Sequence, residues 1–108
     1  MITEDEYVAL AFPELHALLD ALDRLDDEAV EAEFESDILT IEFEDGAKYV
    51  INSHRAARQI WMAAERSAWH FDWNPERKAW VATKSGDELW STLEGLLAKK
   101  LARAVSLR

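Results

Sequence analysis

Apolar residues recur with a helical period at the two ends of this chain and with a period of two through its middle. Near the start, Val8, Phe12, Leu15, Leu19 and Leu22 repeat at helical spacing, and Ala11, Leu18 and Leu25 widen the stripe; this is an amphipathic helix with one face to bury. Thr3 and Glu6 have the Thr-x-x-Glu spacing of a capping box, so the helix is predicted to begin there. Pro13 interrupts the run, and an interior proline has no amide to donate and crowds the preceding turn, which predicts a kink or a restart. Glu31, Glu33 and Glu35 then alternate with Ala32 and Phe34, and Leu39, Ile41 and Phe43 alternate with Thr40 and Glu42. Both are strands with one buried and one wet face. Asp45-Gly46 signals a hairpin. A two-residue loop would set Phe43 against Lys48. A three-residue loop, Glu44 to Gly46, instead pairs Ile41 with Tyr49, Leu39 with Ile51 and Glu42 with Lys48, keeping the apolar residues together and matching an ion pair across the strands.

By the same parity Lys48, Val50 and Asn52 join the wet face, and residues 53 to 58 form a polar connection, basic at Arg55 and Arg58. Two further strands flank a polar break at Glu65 to Ser67. Ile60 and Met62 share one side of the first, Gln59 and Trp61 the other; Trp69, Phe71 and Trp73 share one side of the second, His70 and Asp72 the opposite one. A turn at Asn74 to Lys78 contains Pro75, and Ala79 to Thr83 is a short last strand whose facing the pattern leaves open. Ser85 and Glu88 repeat the capping spacing before a closing helix. Its apolar stripe is Leu89, Leu93, Leu96, Leu97, Leu101 and Ala104, with Lys99, Lys100 and Arg103 near its C-terminal end, where the helix dipole prefers positive charge. Helix, about six strands, helix, with tight turns between strands, predicts an α+β two-layer sandwich: two helices packed on one face of an antiparallel sheet. The other face stays open to solvent. Trp61 falls on it by parity, as a place for a partner to dock; core burial is the competing reading, and parity alone leaves both open.

The length of 108 residues suits a single domain, residues 1–108, because a core of this size closes without a disulfide or a structural metal. Hydrophobic residues make up 49% of the sequence, five of them Trp, which argues against intrinsic disorder. The chain has no cysteine, which removes thiol catalysis, thiolate zinc sites and a cysteine-ligated iron-sulfur cluster on this chain itself. No apolar run approaches the roughly 20 residues needed to cross a bilayer, and the acidic first residues are the reverse of a signal peptide, so a cytoplasmic protein with no membrane partner is expected.

Charge changes the picture more. The net charge of −10 is segregated: residues 1–46 hold 16 acids and one base, whereas residues 47–108 hold 6 acids and 11 bases. An acidic end attracts cations or a basic protein surface and argues against nucleic acid as its partner. His16, Asp20, Asp23 and Asp27 are spaced i, i+4, i+7 and i+11, a second stripe on the first helix roughly 110° from the apolar one. Asp26 and Glu28 lie beside its C-terminal end, where negative charge opposes the helix dipole, so local stability would not select it. Clustered hard oxygen ligands suit Fe²⁺, Fe³⁺, Mn²⁺, Ca²⁺ or Mg²⁺. A solvated helix face has the same composition. There is no EF-hand loop, no paired-histidine zinc motif and no phosphate-binding glycine loop. His54 and His70 stand without a recognisable nucleophile or second base, so catalysis is not expected of them.

Tyr-Val-Ile-Asn (49–52), Gln-Ile-Trp-Met-Ala (59–63), Trp-His-Phe-Asp-Trp (69–73) and Ser-Gly-Asp-Glu-Leu (85–89) occur in order and at consistent spacing, and together they closely resemble the frataxin family, specifically its bacterial CyaY branch. The resemblance implies the frataxin-like fold and a non-enzymatic role in iron-sulfur cluster assembly. Family members bind iron, Fe²⁺ or Fe³⁺, weakly through an acidic ridge and dock on the cysteine desulfurase complex with its iron-sulfur scaffold protein. The ridge carries over to Asp20, Asp23, Asp26, Asp27, Glu28, Glu31 and Glu33. The exposed sheet carries over to Asn52, Gln59, Trp61 and His70, with Asp72 beside them. Leu19 and Arg24 fall where ridge members often have acids, and Val8 falls near where some carry a histidine ligand. The resemblance implies an iron donor or a regulator of the desulfurase, monomeric, with iron-driven oligomers as a further state; an acidic interaction module without a metal role and a weak ferroxidase are the alternatives.

Overall fold

Thr3 Oγ1 accepts the Glu6 amide at 3.1 Å while Glu6 Oε1 accepts the Thr3 amide at 3.0 Å. The capping box thus closes, and helix α1 runs over Glu4–Arg24. The structure, a computed structural model, describes residues 2–25 and 27–108. Pro13 neither breaks nor restarts α1: it and Ala9 lie on the exposed side, so the carbonyl freed by the missing amide faces water. The buried face comprises Tyr7, Ala11, Leu15, Leu18, Ala21 and Leu22, with Val8, Phe12 and Leu19 only half-buried at its margins. The apolar stripe is therefore rotated toward Tyr7, which hydropathy alone passes over. Its ring meets Trp80 edge-on, centroids 5.7 Å apart, and its hydroxyl donates to the Gln59 carbonyl and bonds Ser53 Oγ, each at 2.8 Å. Burial raises the Tyr7 pKa, with the Ser53 hydrogen bond opposing.

The strands are β1 (Val30–Glu35), β2 (Ile38–Phe43), β3 (Lys48–His54), β4 (Gln59–Ala64), β5 (Ser67–Asn74) and β6 (Ala79–Ala82), joined in sequence order as one antiparallel sheet. Ser36 and Asp37 turn β1 into β2 with φ of 53° and 66°, the left-handed pair that a two-residue hairpin demands, and Arg55 holds Asp37 at 3.2 Å. Between β2 and β3 the register is Leu39 with Ile51, Ile41 with Tyr49 and Glu42 with Lys48, as the three-residue loop predicts. Glu42 and Lys48 stand opposite without closing an ion pair. One parity of the sheet, Leu39, Ile41, Phe43, Tyr49, Ile51, Ile60, Met62, Phe71, Trp80 and Ala82, is buried in a single apolar cluster with both helices. The last strand thus faces Trp80 inward and Val81 outward.

Helix α2 (Leu89–Leu101) starts later than the Ser-x-x-Glu spacing suggests. Glu88 is its N-cap, accepting the Trp90 and Ser91 amides at 2.8 and 3.1 Å, while Ser85 bonds Asp87 instead. The cause is tertiary: Glu88 bridges to Val81 at the edge of β6, which keeps it extended and delays the first helical turn. Ala102 ends α2 at φ 56°, so Ala104 leaves the helical stripe and is exposed. Leu107 folds back into the core in its place, 4% exposed, its amide donating to Glu94 Oε2 at 2.6 Å. No helix among the described residues is long and apolar enough to cross a membrane.

Candidate functional site

Alternation in β3, β4 and β5 carries Asn52, Gln59, Trp61, His70 and Asp72 to the sheet face that the helices leave open, and the register gathers them into two adjoining rows. Trp61 stands opposite Asn52 on one side and His70 on the other; Gln59 stands opposite His54 and Asp72. Trp61 is not a bare indole. It lies between two imidazoles, His54 at 3.9 Å and 15° and His70 at 4.3 Å and 11° between ring centroids and planes. Its Nε1–H donates to Gln59 Oε1 at 2.7 Å, and Gln59 Nε2 donates to Asp72 Oδ1 at 3.2 Å, which fixes both the indole and the amide orientation. What the platform offers a partner is therefore ring edges held in place. His54 belongs to it and was legible only through register: it continues the wet parity of β3 and lies diagonal to Trp61. Its Nδ1 accepts the Ala57 amide at 3.3 Å, capping a 3₁₀ turn, Arg55–Ala57.

The carboxylates occupy the other end of the same face and the edge beside it. Asp20 and Asp23 are exposed on the last turns of α1, Glu28 is exposed in the turn after it, and Glu31 and Glu33 point outward from β1. Asp23, Glu31 and Glu33 meet Thr40, Glu42 and Lys48 around an open shallow groove. Glu42, which alternation puts on the wet face of β2 but which the ridge implied by the resemblance does not include, stands directly opposite Glu31. Asp26 lies outside the described residues. Asp27 does not extend the helical stripe, because α1 has ended at Arg24. It caps the following turn instead, accepting the Ala29 amide at 2.9 Å and the Arg103 guanidinium at 2.8 Å. These bonds, the Ala29 amide first, hold its carboxyl below the usual range. His16 also has another employment, its ring stacked on Phe34 at 5.1 Å.

Among the described residues no three histidines, aspartates or glutamates converge closely enough to enclose a metal ion. The carboxylates of Asp20, Asp23, Glu28, Glu31 and Glu33 are hard oxygen donors of the kind a hard cation prefers, and all five are exposed. None of the five has an ion-pair partner among the described residues. A cross-strand row, Glu35, Ile38, Asn52, Trp61 and His70, joins the acidic edge to the platform. Within it Ile38 is an exposed large apolar side chain.

The frataxin-like domain profile matches residues 1–103. An iron-sulfur cluster assembly protein CyaY from Ralstonia nicotianae is 37% identical over 110 residues, covering 98% of this chain and 95% of that one. The frataxin of Psychromonas ingrahamii superposes with a TM-score of 0.89 over 99% of both chains at 24% identity. A trimeric frataxin from the yeast Saccharomyces cerevisiae, complexed with ferrous iron, superposes with a TM-score of 0.62 over 95% of this chain and 88% of that one at 23% identity. The likeness runs through nearly the whole length, in sequence and in the order of helices and strands, and the chain belongs to the frataxin family.

Proposed function

We propose that the protein serves iron-sulfur cluster assembly in the cytoplasm, carrying Fe²⁺ or Fe³⁺ loosely on its acidic band and docking on a cysteine desulfurase and its scaffold protein through the same sheet face. The observation that carries this reading is the juxtaposition of carboxylates that lack a cationic partner among the described residues with an aromatic platform held by hydrogen bonds, on a face the helices leave uncovered. Glu31 opposite Glu42 supports it further. Like charges directly opposed on a sheet cost a few tenths to about 1 kcal/mol, a cost that a bound cation or a basic partner surface relieves. Exposed carboxylates hold iron weakly enough to surrender it, and a chain without cysteine leaves the cluster to be built on another protein.

The role is non-enzymatic, and in stopped flow the protein is expected to oxidise Fe²⁺ no faster than buffer carboxylates at equal concentration. The deciding experiment uses a variant neutralised at Asp20→Asn, Asp23→Asn, Glu31→Gln and Glu33→Gln. Under anaerobic iron titration, amide NMR broadening should concentrate on the end of α1 and on β1 in the parent and disappear in the variant. Broadening that persists in the variant would remove the acidic band from the proposal. A second reading, in which these carboxylates act only by pairing with basic residues of the desulfurase, is favoured by the lack of three convergent ligands among the described residues. It predicts that the variant loses desulfurase affinity even in chelator, with a dependence on salt.

A further inference from the structure

β5 has eight residues and β6 four, so β6 covers only Phe71 to Asn74 of its neighbour. Hydrogen-bond parity identifies the backbone groups left over. The Ala82 amide donates to the Asp87 carbonyl and the Ala82 carbonyl accepts the Gly86 amide, both at 2.8 Å. Ala82 therefore bonds away from β5, and Phe71, opposite it, bonds toward β4. The positions of β5 that face outward are the even ones, and beyond the end of β6 these are His70 and Ala68. Neither finds a backbone partner on that edge among the described residues. Where a longer β6 would have run, the chain swings away through Thr83 and Ser85. It opens a notch of about 300 Å³ lined by Ala68, Trp69, His70, Thr83, Lys84 and Ser85. Lys84 is the one formal charge on its wall, and it has no ion-pair partner among the described residues.

We propose that this notch receives an extended acidic segment of a partner protein, added as a short strand along Ala68–His70 with a carboxylate side chain against Lys84. Amides and carbonyls presented at strand spacing supply the affinity in such strand addition, and neighbouring side chains supply the choice of sequence. Here the free groups are the Lys84 ammonium and the Thr83 hydroxyl, the Ser85 hydroxyl already donating to Asp87 Oδ2 at 2.9 Å, and no carboxylate is among the lining residues, so the residue that complements Lys84 is acidic. The charge preference is opposite to that of the acidic band at the far edge of the sheet. His70 belongs to both the notch and the Trp61 stack, so a protein seated on the open face reaches the notch with a flanking segment. The inference does not depend on iron. A lysine beside an open strand edge also discourages pairing, and that use of Lys84 predicts no peptide binding.

The test titrates the isotope-labelled full chain with a blocked peptide, acetyl-Thr-Glu-Val-Glu-Val-Thr-amide, followed by amide NMR. Shifts are expected at Ala68 to His70 and Thr83 to Ser85, with slowed exchange of the Ala68 and His70 amides. Lys84→Glu should weaken binding about fivefold or more, whereas Lys78→Glu, in the turn at the far end of the β5–β6 hairpin, should change it by less than about twofold. Replacing both glutamates of the peptide by glutamine should weaken it comparably, and N-methylation of alternate peptide amides should abolish it. Absence of saturable binding, equal binding of the glutamine peptide, equal effects of the two lysine variants, or shifts centred elsewhere would each overturn the proposal.

Discussion

Trp61 owes its orientation to three side chains rather than to burial in the core. Two imidazoles cover its faces and Gln59 holds its nitrogen. Trp61→Ala therefore removes two stacked pairs and one hydrogen bond without emptying a core site, and should cost about 1–2 kcal/mol in chemical denaturation. Trp80, at 1% exposure, is the contrast, since truncating a core tryptophan costs about 3–5 kcal/mol. If Trp61→Ala proves as destabilising as Trp80→Ala, the platform is part of the core and not a docking surface. Partner affinity should fall in Trp61→Ala by about tenfold or more, measured by calorimetry. Tyr7 poses the opposite case, a buried ring whose hydroxyl ties α1 to β3 and β4. Tyr7→Phe leaves Ser53 Oγ and the Gln59 carbonyl short of a partner and should lower stability by about 1–2 kcal/mol.

Between elements, Asp27 and Leu107 fasten connections that the helices and strands do not make themselves. Asp27 joins the turn after α1 to Arg103 beyond α2, and its depressed pKa sets the direction of its pH dependence. The stabilisation it contributes is complete above the ordinary aspartate range and is lost as pH falls through the lowered value. Asp27→Asn should thus melt below the parent at neutral pH, and the gap between the two melting temperatures should close as the solution is acidified. A gap that is constant with pH would mean that the charge on Asp27 contributes nothing. Leu107 returns the segment after α2 to the core. Leu107→Ala should cost about 2–4 kcal/mol, read as a lower denaturation midpoint with an unchanged slope.

Across the whole molecule, charge and shape are sorted by the sheet: helices on one face, carboxylates at the β1 edge, aromatic rings over β3 to β5. The neutralised four-site variant should associate with a basic partner more slowly than the parent at low salt, and the two should converge as the Debye length shrinks below about 10 Å. Much of this arrangement was decided locally. A period of two fixes which side chains share a sheet face, and a hairpin register with Phe43 against Lys48 would have buried a charge, so the six strands, the facing of the first five and the β2–β3 pairing follow from the order of residues alone, whereas the facing of β6 is set by the core that receives Trp80. The capping box at Thr3 is equally local. Whatever depends on an element far away in the chain is absent from that pattern. Glu88 caps α2 because β6 holds it, Tyr7 is buried because Ser53 and Gln59 satisfy its hydroxyl, and Leu107 is inside because α2 stops at Ala102. Asp27 leaves the helical stripe for Arg103, seventy-six residues away. His54 joins Trp61 only once three strands are in register. Sequence determines which faces exist, because alternation and helical period are properties of neighbours. Only the tertiary structure decides which polar groups on those faces are already engaged and which remain free for a partner, because hydrogen bonds and stacking join residues that the chain itself keeps apart.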